Sequence, residues 1–213
     1  MKNLQIWVAT GNPKKERELL RILPPGTQVS TLLSAPGAEA WSVVEDASDF
    51  VGNARKKALS AARFLQNRGI LNPADLVLAD DSGLCVDALE GRPGVHSARY
   101  AGAQASDEER IKKLLRELGG IPPENRGARF VCALVAICEG KIAFETQENC
   151  EGRIAEHPSG SEGFGYDPVF LPLLGDSISS LSFAEISPEA KDQVSHRGKA
   201  LRSFANFYRN IRS

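Results

Sequence analysis

Two adjacent carboxylates, Asp80 and Asp81, close the apolar run Leu76-Val77-Leu78-Ala79 and lead into Ser82-Gly83-Leu84. The run reads as a buried strand bounded by a turn. Neighbouring carboxylates at the end of such a strand repel each other unless a cation, a donor or water offsets the charge. Metal or phosphate chemistry would use that pair. Asp, Ser and Gly are also ordinary turn formers, so a tight turn without chemistry is the competing reading.

Two segments upstream carry polar groups of the same character. Thr10-Gly11-Asn12-Pro13-Lys14-Lys15 ends a strand, turns on small residues and opens a helix with two lysines in its first turn. Exposed amides at a helix start attract phosphate, whereas lysine there opposes the helix dipole, which points to a role beyond helix formation. It is not a Walker loop, because GxxxxGK[ST] is absent. The stretch Glu45-Asp46-Ala47-Ser48-Asp49-Phe50-Val51-Gly52-Asn53-Ala54 runs on to Lys57. Asn53 and Lys57 lie one helical turn apart, where they can hold a polar ligand. Glu45, ahead of the helix, can reach a metal ion shared with Asp81. An acidic helix start is also favourable in itself.

Downstream, Gly163-Phe164-Gly165-Tyr166-Asp167-Pro168 sets glycines on both sides of an aromatic ring. That permits close backbone approach to a flat ligand. Phe164 offers a stacking face, and Asp167 or main-chain groups can bond a base edge. A hairpin loop with a buried aromatic is the plainer account. Lys191 and Ser195-His196-Arg197-Gly198-Lys199 gather positive groups ahead of the last helix. They suit an anionic ligand, or else act as capping and surface contacts. His96 and His157 stand alone and read as structural.

Elements of alternating type must hold these residues. A strand over 4–9 leads into a helix over 14–23, which Pro24-Pro25-Gly26 stops. A strand over 29–33 follows. Phe50, Ala54, Ala58, Ala61 and Leu65 then recur at helical spacing. After the Asp80-Asp81 strand comes a long loop containing Gly91-Arg92-Pro93-Gly94. The capping box Ser106-Asp107-Glu108-Glu109 opens a third helix with the stripe Ile111, Leu114, Leu115 and Leu118, closed by Gly119-Gly120. Strands over 130–138 and 142–147, joined at Glu139-Gly140-Lys141, read as a hairpin. An amphipathic helix over 195–211 ends the chain. Interleaved strands and helices together with a hairpin predict a mixed α/β sheet covered by helices, in one domain over residues 1–213.

With 213 residues, 42% of them hydrophobic, the chain can bury a full core. No apolar stretch approaches a membrane span, and no basic leader precedes the first strand, so a cytoplasmic protein is expected. A net charge of -1 argues against a duplex-binding surface. The four cysteines, Cys85, Cys132, Cys138 and Cys150, form no CxxC pair, which argues against zinc. Cys132 and Cys138 fall on one face of a strand, and all four are expected as buried free thiols in a reducing compartment.

In order along the chain, these segments resemble the inosine triphosphate pyrophosphatase family. The resemblance rests on Thr10-Gly11-Asn12 with Lys15; Glu45 with Phe50, Asn53-Ala54 and Lys57-Ala58; and Ala79-Asp80-Asp81-Ser82-Gly83-Leu84. It continues in Pro93-Gly94 with Ser97-Ala98-Arg99-Tyr100, in Gly163 to Pro168, and in Ser195-His196-Arg197-Gly198. Members hydrolyse non-standard purine nucleoside triphosphates such as dITP, ITP and XTP. The resemblance implies an elongated, two-lobed mixed α/β domain and a homodimer. It also implies Mg²⁺-dependent attack at the α-phosphorus, giving a nucleoside monophosphate and pyrophosphate and cleansing the nucleotide pool. It assigns Asp81 as proton acceptor and metal ligand, with Glu45 in the metal site. Substrate contacts carry over to Thr10, Gly11, Asn12, Pro13, Lys14, Lys15, Ser82, Phe164, Gly165, Tyr166, Asp167, Lys191, His196 and Arg197. Ser161-Glu162 before Gly163, and Lys14 beside Lys15, depart from the usual pattern.

Selectivity then has a physical rationale. Hypoxanthine and xanthine present a 6-keto acceptor where adenine presents a donor. A pocket of fixed donors (His196, Arg197 and loop amides are candidates) would leave both sides unpaired with adenine. Two rivals stand beside this reading: a related pyrophosphatase of different base preference, and a non-catalytic nucleotide sensor. A sensor has no need of a water-activating carboxylate, so Glu45 and Asp81 argue against it.

Overall fold

Alternate residues of β1 (Gln5–Val8) are buried, as a strand with one covered face requires. The computed structural model describes residues 4–212. Asn12 caps α1 (Pro13–Ile22) by accepting the Lys14 amide, and Pro13 fits the first helical position. β2 (Gln28–Thr31) follows. Asp49 caps α2 (Phe50–Asn67) through the Gly52 amide at 2.6 Å. β3 (Leu76–Val86) is buried along nearly its whole length. α3 (Asp107–Glu117) opens with both halves of the expected capping box between Ser106 and Glu109. β4 (Gly127–Cys138), β5 (Lys141–Ile154), β6 (Phe170–Leu174), β7 (Ser177–Ile178), α4 (Pro188–Val194) and α5 (His196–Arg212) complete the order.

The strands form one mixed sheet in the order β2-β1-β3-β4-β5-β6-β7. β1 runs parallel to both β2 and β3, while β5–β6 and β6–β7 are antiparallel. Glu139 and Gly140 join β4 to β5, both at positive φ, 49° and 73°. That is the hairpin turn whose twist matches the strands it joins.

The chain divides into two compact units. The first comprises Met1–Asp81, Cys132–Gln147 and Ala200–Ser213; the second comprises Ser82–Val131 and Glu148–Lys199. In the first, Ile6, Val8, Leu76, Leu78 and Leu134 pack with Leu19 of α1 and with Leu201, Phe204 and Tyr208 of α5. In the second, Leu84, Val86, Ile111, Leu114, Phe130, Ile154, Phe170 and Phe183 form the core. β3 leaves the first unit at Asp81 and enters the second at Ser82.

Several expectations change. β3 does not turn at Asp80; it continues as strand through Ser82-Gly83 to Val86. Turn-forming residue types yield here because burial and side-chain partners hold the backbone extended. The hairpin is longer than read, since the exposed polar stretch of β5 lacks the alternation that marks a half-buried strand. The seven residues of α4 and the two of β7 are too short to give a periodic signal. All four cysteines are free thiols; three are buried and Cys138 is half-buried, on the same core cluster as Cys132. Among the described residues no helix is long and apolar enough to cross a membrane.

One surface cluster on α3 gives a pH signature. Glu117 accepts from Lys113 at 2.6 Å, Tyr100 at 2.7 Å and Arg92 at 2.8 Å. Those donors, Lys113 foremost, pull its carboxyl from an ordinary 4.5 down to about 2. A depressed acid stabilises the fold above its unfolded value and loses that contribution as pH falls through the folded one. Glu117→Gln should therefore cost under about 1 kcal/mol of stability near neutrality, as partly exposed ion pairs do, and so lower Tm. The difference from wild type should close as pH falls from about 5 to 2, followed by thermal scans across that range.

Candidate active site

In the first unit the two aspartates of β3 have separate partners, as expected where successive side chains leave a strand on opposite faces. Lys15 of α1 pairs with Asp80 Oδ2 at 2.8 Å. Asn53 of α2, 1% exposed, donates its Nδ2 to Asp81 Oδ2 at 3.0 Å. The Asn53 Oδ1 in turn accepts the Ala47 amide at 2.9 Å, which fixes the orientation of the carboxamide. Lys57, one turn further along α2, pairs with Glu45 at 2.8 Å and donates to the Asp80 carbonyl at 3.1 Å. Three carboxylates and two lysines therefore lie within one electrostatic neighbourhood.

The charges shift one another. Burial raises the Asp81 carboxyl above its ordinary value; the Asn53 hydrogen bond and Lys57 oppose this, while Glu45 and Asp80 add to it. Burial works against the Lys57 charge, yet Asp80, Glu45 and Asp81 together outweigh it, so its pKa is raised. Thr10 Oγ1 accepts the Asn12 amide at 3.1 Å and shapes the turn before α1. Gly11, Pro13 and Lys14 are exposed along that turn. Of the two lysines, Lys15 is the one on the buried carboxylate.

In the second unit the structure gathers the later motifs. Lys191 and Asp167, 6% and 3% exposed, form an ion pair of 2.7 Å. Asp167 Oδ2 also accepts the Phe164 amide at 2.7 Å. A Cβ on Gly163 would lie 2.1 Å from that oxygen, so only glycine fits there. The Gly165 amide donates to Asp107 Oδ2, again at 2.7 Å. The Phe164 ring has Lys191 Nζ 5.0 Å and Arg197 Cζ 5.4 Å from its centroid, both within cation–π range. His196 stacks on Phe130 at 4.7 Å, and Arg197 donates to Ser82 Oγ at 3.2 Å. Gly198 lets α5 start against α4, since a Cβ there would sit 1.9 Å from the Asp192 carbonyl.

Two sequence expectations are refined. The amides of Phe164 and Gly165, candidate donors for a base, already bond the carboxylates of Asp167 and Asp107. The Tyr166 side chain, 4% exposed, turns into its own core and donates to the Ser97 carbonyl at 3.0 Å. Ser97 Oγ accepts the Leu84 amide at 2.9 Å. The Pro93–Tyr100 motif is thus a strut linking the continuation of β3 to the Gly163–Pro168 loop. Sequence reasoning marked Asn53 and Lys57 as able to hold a polar ligand, and the structure sets them on Asp81 and Glu45. It missed Asp107, hidden as an ordinary first-turn acid of a capped helix.

The Ham1 family model matches residues 6–207. The chain belongs to the Ham1 family. A dITP/XTP pyrophosphatase of Geobacillus kaustophilus is 48% identical over 199 residues, covering 92% of this chain and 90% of the relative. A solved Ham1 protein from Coxiella burnetii superposes with a TM-score of 0.81 at 33% identity, covering 97% of this chain and 99% of that one. A nucleoside-triphosphatase/dITP/XTP pyrophosphatase from Mycobacterium abscessus is 40% identical with a TM-score of 0.70, covering 94% and 98%. The family and fold implied by the motifs are borne out.

The acidic cluster fits a hard cation by its all-oxygen donors. Among the described residues no group of three or more His, Cys, Asp or Glu side chains could hold a metal ion alone. Mg²⁺ rarely needs one, taking one or two carboxylates together with substrate phosphates and water.

The raised Asp81 carboxyl predicts a stability effect of known sign. A buried acid with a raised pKa costs stability once pH exceeds that value, and the cost disappears near its ordinary 3.8. In the absence of divalent metal, Asp81→Asn should raise Tm at pH 8, by about 2–4 °C for each kcal/mol relieved. Calorimetry at falling pH should find the gain shrinking.

Proposed function

We propose that this chain hydrolyses non-standard purine nucleoside triphosphates (dITP, ITP and XTP) to the monophosphate and pyrophosphate, in a Mg²⁺-dependent reaction and as a homodimer. The observation that carries this is the buried Asp80-Asp81 pair ringed by Lys15, Asn53, Lys57 and Glu45, in a member of a family whose relatives are named dITP/XTP pyrophosphatase.

Within that reading Asp81, not Asp80, is the base. Asp80 is engaged in an ion pair with Lys15, whereas Asp81 accepts from a neutral amide and has a raised pKa. Asn53 holds one oxygen of Asp81 and so orients the carboxylate towards water. Glu45 and Asp81 would hold the Mg²⁺, which supplies neutralisation of phosphate charge. Lys15 and Lys57 add positive charge beside the phosphates, with Thr10, Gly11, Asn12, Pro13 and Lys14 forming the turn that receives them. Lys191, placed on Asp167, serves the same need less directly, by holding the loop that carries Phe164. Phe164 stacks on the purine, His196 and Arg197 donate to its keto edge, and Arg197 takes its register from Ser82. Gly165, Tyr166 and Asp167 shape the loop around the ring.

Pyrophosphate release from ITP, dITP, XTP, GTP and ATP, with and without Mg²⁺, tests the whole reading. ITP, dITP and XTP should be preferred, and chelation should abolish turnover. Comparable kcat/KM for ITP and ATP would sink the donor pocket. Asp81→Asn should lose ~100-fold or more in kcat while remaining folded, the usual worth of a general base. Lys15→Ala should retain the base preference but weaken binding of inorganic tripolyphosphate.

A further inference from the structure

The Phe164-Gly165 peptide is held by two carboxylates of different origin. Asp167 belongs to the loop itself, three residues on, and its bond to the Phe164 amide closes a local turn. Asp107 comes from the first turn of α3, 58 residues away in sequence, and takes the next amide, Gly165, at 2.7 Å. The first bond gives the loop its shape; the second fixes where that shape is placed. Asp107 is itself braced. Its Oδ1 pairs with Arg110, whose other nitrogen donates to the Ala98 carbonyl at 2.5 Å. Ala98 lies beside Ser97, the strut residue that receives Tyr166. Gly165 has a positive φ of 64°, so its amide direction depends on a conformation that glycine adopts but does not enforce.

We propose that Asp107 is a positioning residue for base recognition: by anchoring the Gly165 amide from outside the loop, it sets the placement of the Phe164 ring against the purine. This rests on the reading of Phe164 as the base platform. A capping box needs only Ser106 and Glu109, so helix formation leaves the Asp107 bond to Gly165 unexplained. A charge-assisted hydrogen bond to a backbone amide is among the stronger kinds, and Asp107 is partly shielded by Arg110.

The test compares wild type, Asp107→Ala and Asp107→Asn as full-length chains. Steady-state kinetics are run with ITP and ATP, inhibition is measured with inorganic tripolyphosphate, and folding is followed by Tm. Asp107→Ala should raise KM for ITP roughly tenfold, the worth of one such bond, with kcat within about twofold. The preference for ITP over ATP should fall, and the tripolyphosphate inhibition constant should stay unchanged, because that probe has no base. Asp107→Asn keeps an acceptor oxygen of the same reach and should recover most of the loss. If Asp107→Ala does not fold, the asparagine variant decides, with a rise in KM of about threefold and a constant tripolyphosphate response expected. An unchanged KM for ITP in the folded variants, or a parallel weakening of tripolyphosphate, overturns the proposal. Wild type that fails to prefer ITP over ATP overturns the proposed function instead, so the two failures are distinct.

Discussion

Two ionisable side chains placed side by side on an interior strand impose the main demand on this structure. Withdrawing a carboxylate from water costs several kcal/mol unless charges and donors replace the lost hydration. β3 carries two in succession, 8% exposed each. The replacements come from two different helices. α1 must begin where Lys15 reaches Asp80, and α2 must run where Asn53 and Lys57 reach Asp81, Glu45 and the Asp80 carbonyl. These polar contacts add directional requirements to those of apolar packing. Electrostatics and packing thus select the same arrangement in the first unit.

The second unit meets a different demand by related means. Its functional residues lie in a loop and at a helix start, where no ladder fixes the backbone. Carboxylates supply the order instead: Asp167 and Asp107 each accept a backbone amide, and Lys191 neutralises the more deeply buried of the two. Charges that would be reactive elsewhere order the backbone here by pairing. Asp81 accepts from the Asn53 amide and has Lys57 nearby, but burial together with Glu45 and Asp80 raises its pKa.

The sequence made the elements legible where the pattern was strong. Phe50, Ala54, Ala58 and Leu65 announced α2, Ser106 and Glu109 announced α3, and Glu139-Gly140 announced the hairpin. It misread Asp80-Asp81-Ser82-Gly83 as a turn, because local propensity knows nothing of Lys15 and Asn53 brought in from afar. The motifs named the residue types of the site, yet not the division of labour within it. Lys191 looked like a phosphate ligand from its charge, and only its contact with Asp167 shows where it sits. Asp107 was invisible for the opposite reason, since a first-turn acid already has a sufficient local explanation in the helix dipole. Long-range side chain-to-backbone bonds leave no periodic trace.

The two networks are consecutive in sequence at Asp81-Ser82, where one unit ends and the other begins. A trans peptide fixes consecutive Cα atoms about 3.8 Å apart, and an extended, largely buried strand allows little play. Asp81 carries the proposed chemistry, while Ser82 receives Arg197 and belongs to the network that includes Phe164. A turn at Asp80, as local residue preference suggested, would have placed soft dihedrals where β3 instead continues as strand. The conversion of turn-forming residues into strand shows partners brought from α1 and α2 overriding local preference.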